Sequence, residues 1–503
     1  MDNSRDRWLA LGVLATGLLM TILDGSIVTV AMPAIQRDLG FSPAGLSWVM
    51  NAYLIAFGGL LLLCGRLGDL FGRRRMFLAG VAVFTLASML AGVATGPAVL
   101  IAARFLQGVG SAMASAVSLG ILVTLFTEPA ERGRAIAVFS FTGAAGASIG
   151  QVLGGVLTDA LSWHWIFFIN LPIGLATLAL AARALPADRG LGRAAGADAT
   201  GAGLVTAGLM LGIYTVVGVE RYGWTSARTV ASAAVAAGLL AGFAVRQATA
   251  ATPLVPPRLL RSRVVVVANA VQVLMVAALF AFQILTALYQ QRVLGYGAGR
   301  TGLAMLPGAA AIGVLSLFVA APLISRFGER AVLLAGLAPL IAMLGLLTRV
   351  PVDAHYATDL LPVMLLAGGF GLALPALTGL AMSGANPSDA GLASGLFNTT
   401  QQIGGAAGVA VLATLAAART DTLRSAGSEA AALTGGYHLA FAVGVGLLGA
   451  AAAVAVAGLR PARPPRPGAG AVAAADTGRT SGRPGSTVPA DLAVRAPAGC
   501  RAG

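Results

Sequence analysis

Residues 65–75 read Gly65-Arg66-Leu67-Gly68-Asp69-Leu70-Phe71-Gly72-Arg73-Arg74-Arg75. The stretch is short and polar, and apolar runs flank it over 46–64 and 76–95. A helix needs about 20 mostly apolar residues to cross a bilayer, so these eleven positions read as a tight connection between two membrane helices. Glycines permit a sharp reversal between helix ends. Asp69 can accept hydrogen bonds from a helix N-terminus or a neighbouring Arg. The Arg run alone is what any cytoplasmic anchor would carry; its spacing with the glycines is less common.

Working outward, the same alternation repeats along all 503 residues. A content of 57% hydrophobic and 10% charged residues, with a mean hydropathy of +0.85, exceeds what a water-soluble domain can bury. Apolar runs fall at 8–32, 46–64, 76–95, 98–122, 134–157 and 164–183, then 200–219 and 229–246, then 264–289, 301–321, 331–349, 358–382, 392–414 and 437–459. This predicts an all-α polytopic membrane protein of 14 helices grouped six, two and six. Period-two alternation is missing, which excludes a transmembrane barrel. The first run continues to about Pro33 without a small-residue cleavage site and is expected to stay as a helix.

Every basic residue is Arg, and the formal charge is +14. The Arg residues scatter over loops and tail instead of lining one aromatic-interleaved face, which argues against nucleic-acid binding. They favour one side: Arg66 and Arg73 to Arg75, Arg132 and Arg134, Arg183, Arg189 and Arg193, Arg246 to Arg263, and Arg326 and Arg330. The positive-inside rule places that side, and both termini, in the cytoplasm of a cell whose plasma membrane the chain crosses many times. Two cysteines, Cys64 and Cys500, imply no disulfide framework.

An internal repeat sets the domain plan. Leu67, Phe71, Gly72 and Arg74 recur as Leu323, Phe327, Gly328 and Arg330, which suggests two parallel six-helix repeats. The expected divisions are a first bundle over 1–190, two inserted helices and a linker over 191–262, a second bundle over 263–460, and a tail over 461–503. That tail is rich in Pro, Gly, Ala and Arg and is expected to be disordered.

Four further segments carry a family resemblance. They are Leu23-Asp24-Gly25-Ser26-Ile27-Val28-Thr29-Val30-Ala31-Met32-Pro33, Arg104-Phe105-Leu106-Gln107-Gly108-Val109-Gly110, the glycine row from Gly146 to Gly155, and Ser162 to Gly174. Together with the 65–75 loop they resemble the fourteen-helix drug:proton antiporters of the major facilitator superfamily, over residues 8 to about 459. The resemblance implies a major-facilitator fold and export of multiple drugs or antibiotics. It assigns a gating loop to Gly65, Asp69, Gly72, Arg73 and Arg74, and a helix-packing antiporter motif to Gly146, Gly150, Gln151, Gly154 and Gly155. Two positions depart from the family: Gln151 stands where Pro is usual, and in Phe397-Asn398-Thr399-Thr400-Gln401-Gln402-Ile403-Gly404-Gly405, which is similar to a further family segment, Gln401 stands where Arg is usual. Glycines four apart still let helices approach closely, whereas a Pro-dependent kink is lost.

An acid inside a membrane span costs at least about 2.5 kcal/mol on insertion scales and is a functional candidate by default. Asp24 is the acid that lies well inside a predicted span, roughly 13 Å below the Pro33 end at 1.5 Å per residue. Arg104 lies at roughly 9 Å depth from the same side, so the two can meet. They could form a purely structural ion pair. Alternatively Asp24 exchanges protons while Arg104 tunes it, since desolvation and a nearby cation pull a carboxylate's pKa in opposite directions. Gln107, Thr142, Gln283, Asn398, Gln401 and Gln402 are candidates for a substrate cavity, though such residues often serve only as interhelical glue.

No metal-ligand cluster, phosphate-binding glycine loop or catalytic triad is legible. The expected activity is secondary active export of lipophilic small molecules against protons by alternating access, without an enzymatic step or a resident cofactor, driven by the proton motive force. Proton-coupled or facilitated transport of another metabolite stays open, because export rests on the resemblance alone. The expected partners are the small lipophilic substrate, protons and the lipid bilayer, with the chain acting as a monomer.

Overall fold

The computed structural model describes residues 4–41, 43–188, 190–192, 198–250, 253–255, 259, 261–383, 389–424 and 428–459. The tail beyond 459, Arg189 and Arg193 lie outside them. All regular structure among the described residues is helical. The first half comprises α1 (Ser4–Leu39), α2 (Pro43–Phe71), α3 (Arg73–Gly92), α4 (Pro97–Leu125), α5 (Pro129–Ala160), α6 (Trp165–Phe168) and α7 (Asn170–Ala184). Then come α8 (Ala199–Tyr222) and α9 (Ala227–Thr249). The last group is α10 (Arg263–Arg292), α11 (Ala298–Val314), α12 (Ala321–Phe327), α13 (Glu329–Leu347), α14 (Leu361–Leu366), α15 (Gly369–Ser383), α16 (Ala390–Leu423) and α17 (Glu429–Gly458).

Thirteen of these segments are long and apolar enough to cross a membrane, counting broken helices as single spans. The 32-residue α5 brings the long segments to fourteen, in the six, two and six order expected. Four spans differ in detail from the sequence expectation, the twelfth being entered by a π-helical turn over Tyr356–Leu360 and broken between α14 and α15. The first does not stop near Pro33: α1 continues to Leu39 with that proline inside it. Proline removes one donor from the helix ladder, and Thr29, whose carbonyl it would have bonded, is exposed. The sixth breaks at Ile169, between α6 and α7. Pro172 has no N–H to offer the carbonyl four residues back. The tenth is widened by a π-helical turn over Leu315–Ala320, between α11 and α12.

The repeat has a conformational counterpart. Gly72 joins α2 to α3 with φ of 103°, and Gly328 joins α12 to α13 with φ of 79°. Both angles fall where a side chain is strained and glycine is not. The same reversal therefore occurs at the same place in each repeat.

The two halves meet at the end of the molecule that carries these reversals. A Cβ on Gly65 would lie 2.6 Å from the Gly391 carbonyl oxygen, and one on Gly120 would lie 2.8 Å from that of Ala390. Ser316 donates to the Ala137 carbonyl at 3.1 Å, and a Cβ on Gly313 would strike the Phe141 ring at 2.6 Å. The inserted α8 lies against α2, where Gly59 leaves room for Met210. It also shares an apolar cluster with Leu62 of α2 and Leu392 of α16.

The orientation expected from Arg placement is testable at exposed positions of opposite ends. With Cys64 and Cys500 replaced by Ala, Ser325→Cys should resist a membrane-impermeant maleimide in intact cells, and Val352→Cys should react. The reverse pattern would contradict a cytoplasmic Arg-rich end.

Candidate functional site

A cluster of polar side chains lies inside the first half. Asp24, Ser88, Arg104, Gln107 and Asn170 are each fully shielded from solvent. They come from α1, α3, α4 and the first residue of α7. Arg104 Nη1 donates to Asp24 Oδ2 and to Gln107 Oε1 at 2.8 Å. Gln107 Nε2 donates to Asp24 Oδ1 at 2.9 Å and to Ser88 Oγ at 2.7 Å. Asn170 Nδ2 reaches Asp24 Oδ1 at 3.2 Å. Arg104 Nε donates to the Val49 carbonyl at 3.0 Å, and its guanidinium carbon lies 4.6 Å from the centre of the Tyr53 ring.

Such density of partners is what a charge pair away from water requires, because the desolvation of each ion amounts to several kcal/mol. Two atoms remain without a partner among the described residues: Arg104 Nη2, a donor, and Asn170 Oδ1, an acceptor. The amide of Asn170 presents either a donor or an acceptor after a half-turn about its last torsion. The cluster can therefore satisfy a carboxylate, which only accepts, or a carboxylic acid, which also donates.

Two local features place these groups. The glycine row of α5 lets α1 come close: a Cβ on Gly150 would lie 2.9 Å from the Leu23 carbonyl oxygen, and one on Gly154 would lie 3.0 Å from that of Ile27. Gly146 faces Leu19 and Ile22 on the same side. Asp24 is thus fixed on a helix pressed against its neighbour along three turns. Gly155 departs from the expected packing motif, since a Cβ there would meet nothing within 4 Å. The side chain of Gln151 lies outside the described residues. The break before α7 sets Asn170 at a helix start, where it turns toward Asp24.

At the junction of the halves a second polar group forms around Asp69, which is buried. Its carboxylate accepts from the backbone N–H of Gly391 at 3.0 Å and of Leu392 at 2.8 Å, in the first turn of α16. It also pairs with Arg73 Nη2 at 2.8 Å. Asp69 therefore takes both partners foreseen for it, a helix N-terminus and an Arg, and the helix belongs to the opposite half. Asp188 adds to this: its carboxylate accepts from the amides of Arg73 at 2.7 Å and Arg74 at 3.2 Å, capping α3 from the chain that leads to α8. Arg74 Nη2 donates to the Ala182 carbonyl.

No hydrogen bond among the described residues joins the substrate-cavity candidates to one another. Gln107 belongs to the Asp24 cluster. Thr142 bonds back to the Val138 carbonyl of its own helix at 2.9 Å, and Gln283 is exposed on α10. Asn398 donates to the Ser394 carbonyl at 2.9 Å and reaches the Ser115 carbonyl at 3.4 Å, so it faces α4. Gln401 and Gln402 are half-buried on α16. Sequence reading passed over Ser88, Asn170, Tyr53 and Asp188. Asn170 carried a usable signal, being an amide within an apolar span.

Comparison with known proteins bears on what this arrangement serves. The sequence pattern of the Major Facilitator Superfamily matches residues 14–409. The chain is 39% identical over 452 residues to the puromycin resistance protein of Streptomyces alboniger, covering 88% of this chain and 90% of that one. It is 42% identical over 422 residues to the cephamycin export protein of Amycolatopsis lactamdurans, covering 82% and 85%. Its fold superposes on the crystal structure of the human organic anion transporter MFSD10 with a TM-score of 0.59 at 17% identity, covering 88% of this chain and 99% of that one.

Close packing at the junction can be probed with two alanines. A Cβ on Gly391 would lie 2.5 Å from Asp69 Oδ1, so Gly391→Ala should lower the melting temperature of the detergent-solubilised protein, with the roughly 1–3 kcal/mol cost of overpacking. Gly155→Ala, whose Cβ enters open space, should melt no lower than the parent. Indistinguishable melts for the two variants would contradict this packing.

Proposed function

We propose that this chain, which belongs to the Major Facilitator Superfamily, exports lipophilic small molecules of the antibiotic class across the plasma membrane in exchange for protons. It is a multi-pass membrane transporter and not an enzyme. The observation that carries the exchange reading is the fully buried Asp24, held by Arg104, Gln107 and Asn170. Relatives named for puromycin resistance and cephamycin export support an antibiotic-like cargo and the outward direction.

In this reading the halves, 1–190 and 263–460, rock about the substrate, with 191–262 as an insertion and both termini in the cytoplasm. Alternating access of this kind needs a seal at one end and a carrier that does not leak. Asp69 on the α16 N-terminus supplies the seal, together with Gly65 and Gly72 and the charges of Arg73 and Arg74. Asp24 is the carrier: sealed from solvent, it can exchange a proton only when its cluster opens. The proton motive force is the energy source, no resident cofactor is required, and a single chain contains both halves.

Substrate charge follows from the same bookkeeping. Asp24 is taken up by the proton, and among the described residues the acids of the second-half spans, Glu329, Asp359, Asp421 and Glu429, all lie at or near span ends, so the cargo is neutral or singly charged. Thr142, Gln283, Asn398, Gln401 and Gln402 remain its proposed polar contacts. Gln107 acts with Asp24 instead.

The variant Asp24→Asn separates exchange from a purely structural pair. It preserves shape and most hydrogen bonds but cannot titrate. Uphill, gradient-driven efflux in proteoliposomes should vanish while the folded yield stays near that of the parent. Uphill efflux at the parental rate would sink the proposal. A protein that no longer folds, as expected when a buried charge loses its partner at about 3–5 kcal/mol, would favour the structural pair, and Asp24→Glu, which keeps a proton-binding group at slightly altered reach, should keep partial coupling if Asp24 is the carrier.

A further inference from the structure

Between the C-terminal part of α2 and the N-terminal part of α8 lies a cleft of about 470 Å³, within the roughly 300–1,000 Å³ typical of small-ligand sites. Its walls are apolar, with Leu63, Leu67 and Leu70 on one side and Met210 on the other. Two polar groups interrupt them. Arg66 is 8% exposed, and its Nε is buried without a hydrogen-bond partner among the described residues. The Thr206 hydroxyl, opposite on α8, is likewise buried and unpartnered.

The remaining charges at the cleft are already matched. Asp198, which also lines it, accepts from the Gly201 amide at 2.9 Å, from Arg246 Nε at 3.1 Å and from Gln247 Nε2 at 3.4 Å. Burial pushes the Asp198 carboxyl up, but these donors outweigh it and hold the group below its ordinary pKa. It is therefore an anion whose charge Arg246 offsets. Asp69, one turn beyond Arg66, is committed to Arg73 and α16. Among the described residues, the guanidinium of Arg66 is left as the uncompensated charge in this apolar slot.

We propose that this cleft binds one anionic phospholipid, with a phosphate oxygen on Arg66 and Thr206 and an acyl chain lying along Leu63, Leu67 and Met210. Long basic side chains next to apolar walls favour this amphiphilic match: the stem packs with hydrocarbon while the head meets the phosphate. A free anion would gain nothing from the apolar walls, and a neutral lipid nothing from the guanidinium. The lipid would fill the join between the first half and the inserted helices, next to the seal around Asp69. This site is distinct from the Asp24 cluster and does not depend on the transport reading.

Native mass spectrometry of the full chain in detergent, titrated with phosphatidylglycerol, phosphatidylcholine or inorganic phosphate, tests it. The parent should retain one phosphatidylglycerol in preference to phosphatidylcholine. Arg66→Gln should bind phosphatidylglycerol about fivefold more weakly, the worth of one basic side chain near anionic lipid. Gly203→Phe projects from a position where a Cβ meets nothing within 4 Å and should fill the cleft, abolishing the adduct in a protein that stays monodisperse. Equal retention of the two lipids, displacement of phosphatidylglycerol by inorganic phosphate alone, or parental binding by the folded variants would each overturn the proposal.

Discussion

A carboxylate cannot rest in hydrocarbon without partners, and the first half of this protein is arranged around one that has them. Asp24 gathers Arg104, Gln107 and Asn170 directly, and Ser88 through Gln107. These groups stand on four separate helices, so the helices must hold a fixed rotation and depth relative to one another. Hydrophobic packing sets no such register by itself, since lipid tails are as apolar as leucine. The polar cluster supplies it, and the glycines of α5 supply the close approach that lets α1 deliver the carboxylate.

The junction of the halves obeys the same constraint with backbone in place of a guanidinium. The first amides of a helix have no partner within it, and Asp69 takes two of those at the start of α16. Glycine is needed on both sides, at Gly65 and Gly391, because a Cβ on either would enter the other chain segment. Asp188 ties the same loop to the connection leading into α8. The loop carrying Asp69 is thus tied to the connection leading into α8, whose Leu191 and Gly192 amides also donate to the Asp69 and Leu70 carbonyls.

Much of this was legible in the sequence because it depends on spacing along one chain. The 65–75 connection, its echo around Phe327-Gly328, the fourteen apolar runs and the pairing of Asp24 with Arg104 follow from helical rise and from the rarity of charge in spans. What stayed hidden depends on rotation about helix axes. Nothing in the apolar run of α3 distinguishes Ser88 from Ser111 on α4, which bonds to Tyr53. Gly155 sits beside Gly154 in sequence but a hundred degrees round the helix, away from α1. The stop expected at Pro33 failed for a different reason: Pro33 removes one N–H from the ladder, and Thr29, whose carbonyl it frees, is exposed.

We propose that substrate and proton share one cycle through Asp24. In the proposed exchange Asp24 alternates between its buried cluster and an open one, so a gradient of either species is expected to move the other. Proteoliposomes carrying an enclosed pH-sensitive dye, given a substrate gradient and no initial pH difference, test this directly. The account predicts proton counterflow that starts with the substrate gradient and stops when it is dissipated. Substrate flux at the full rate with no accompanying change in internal pH would contradict it.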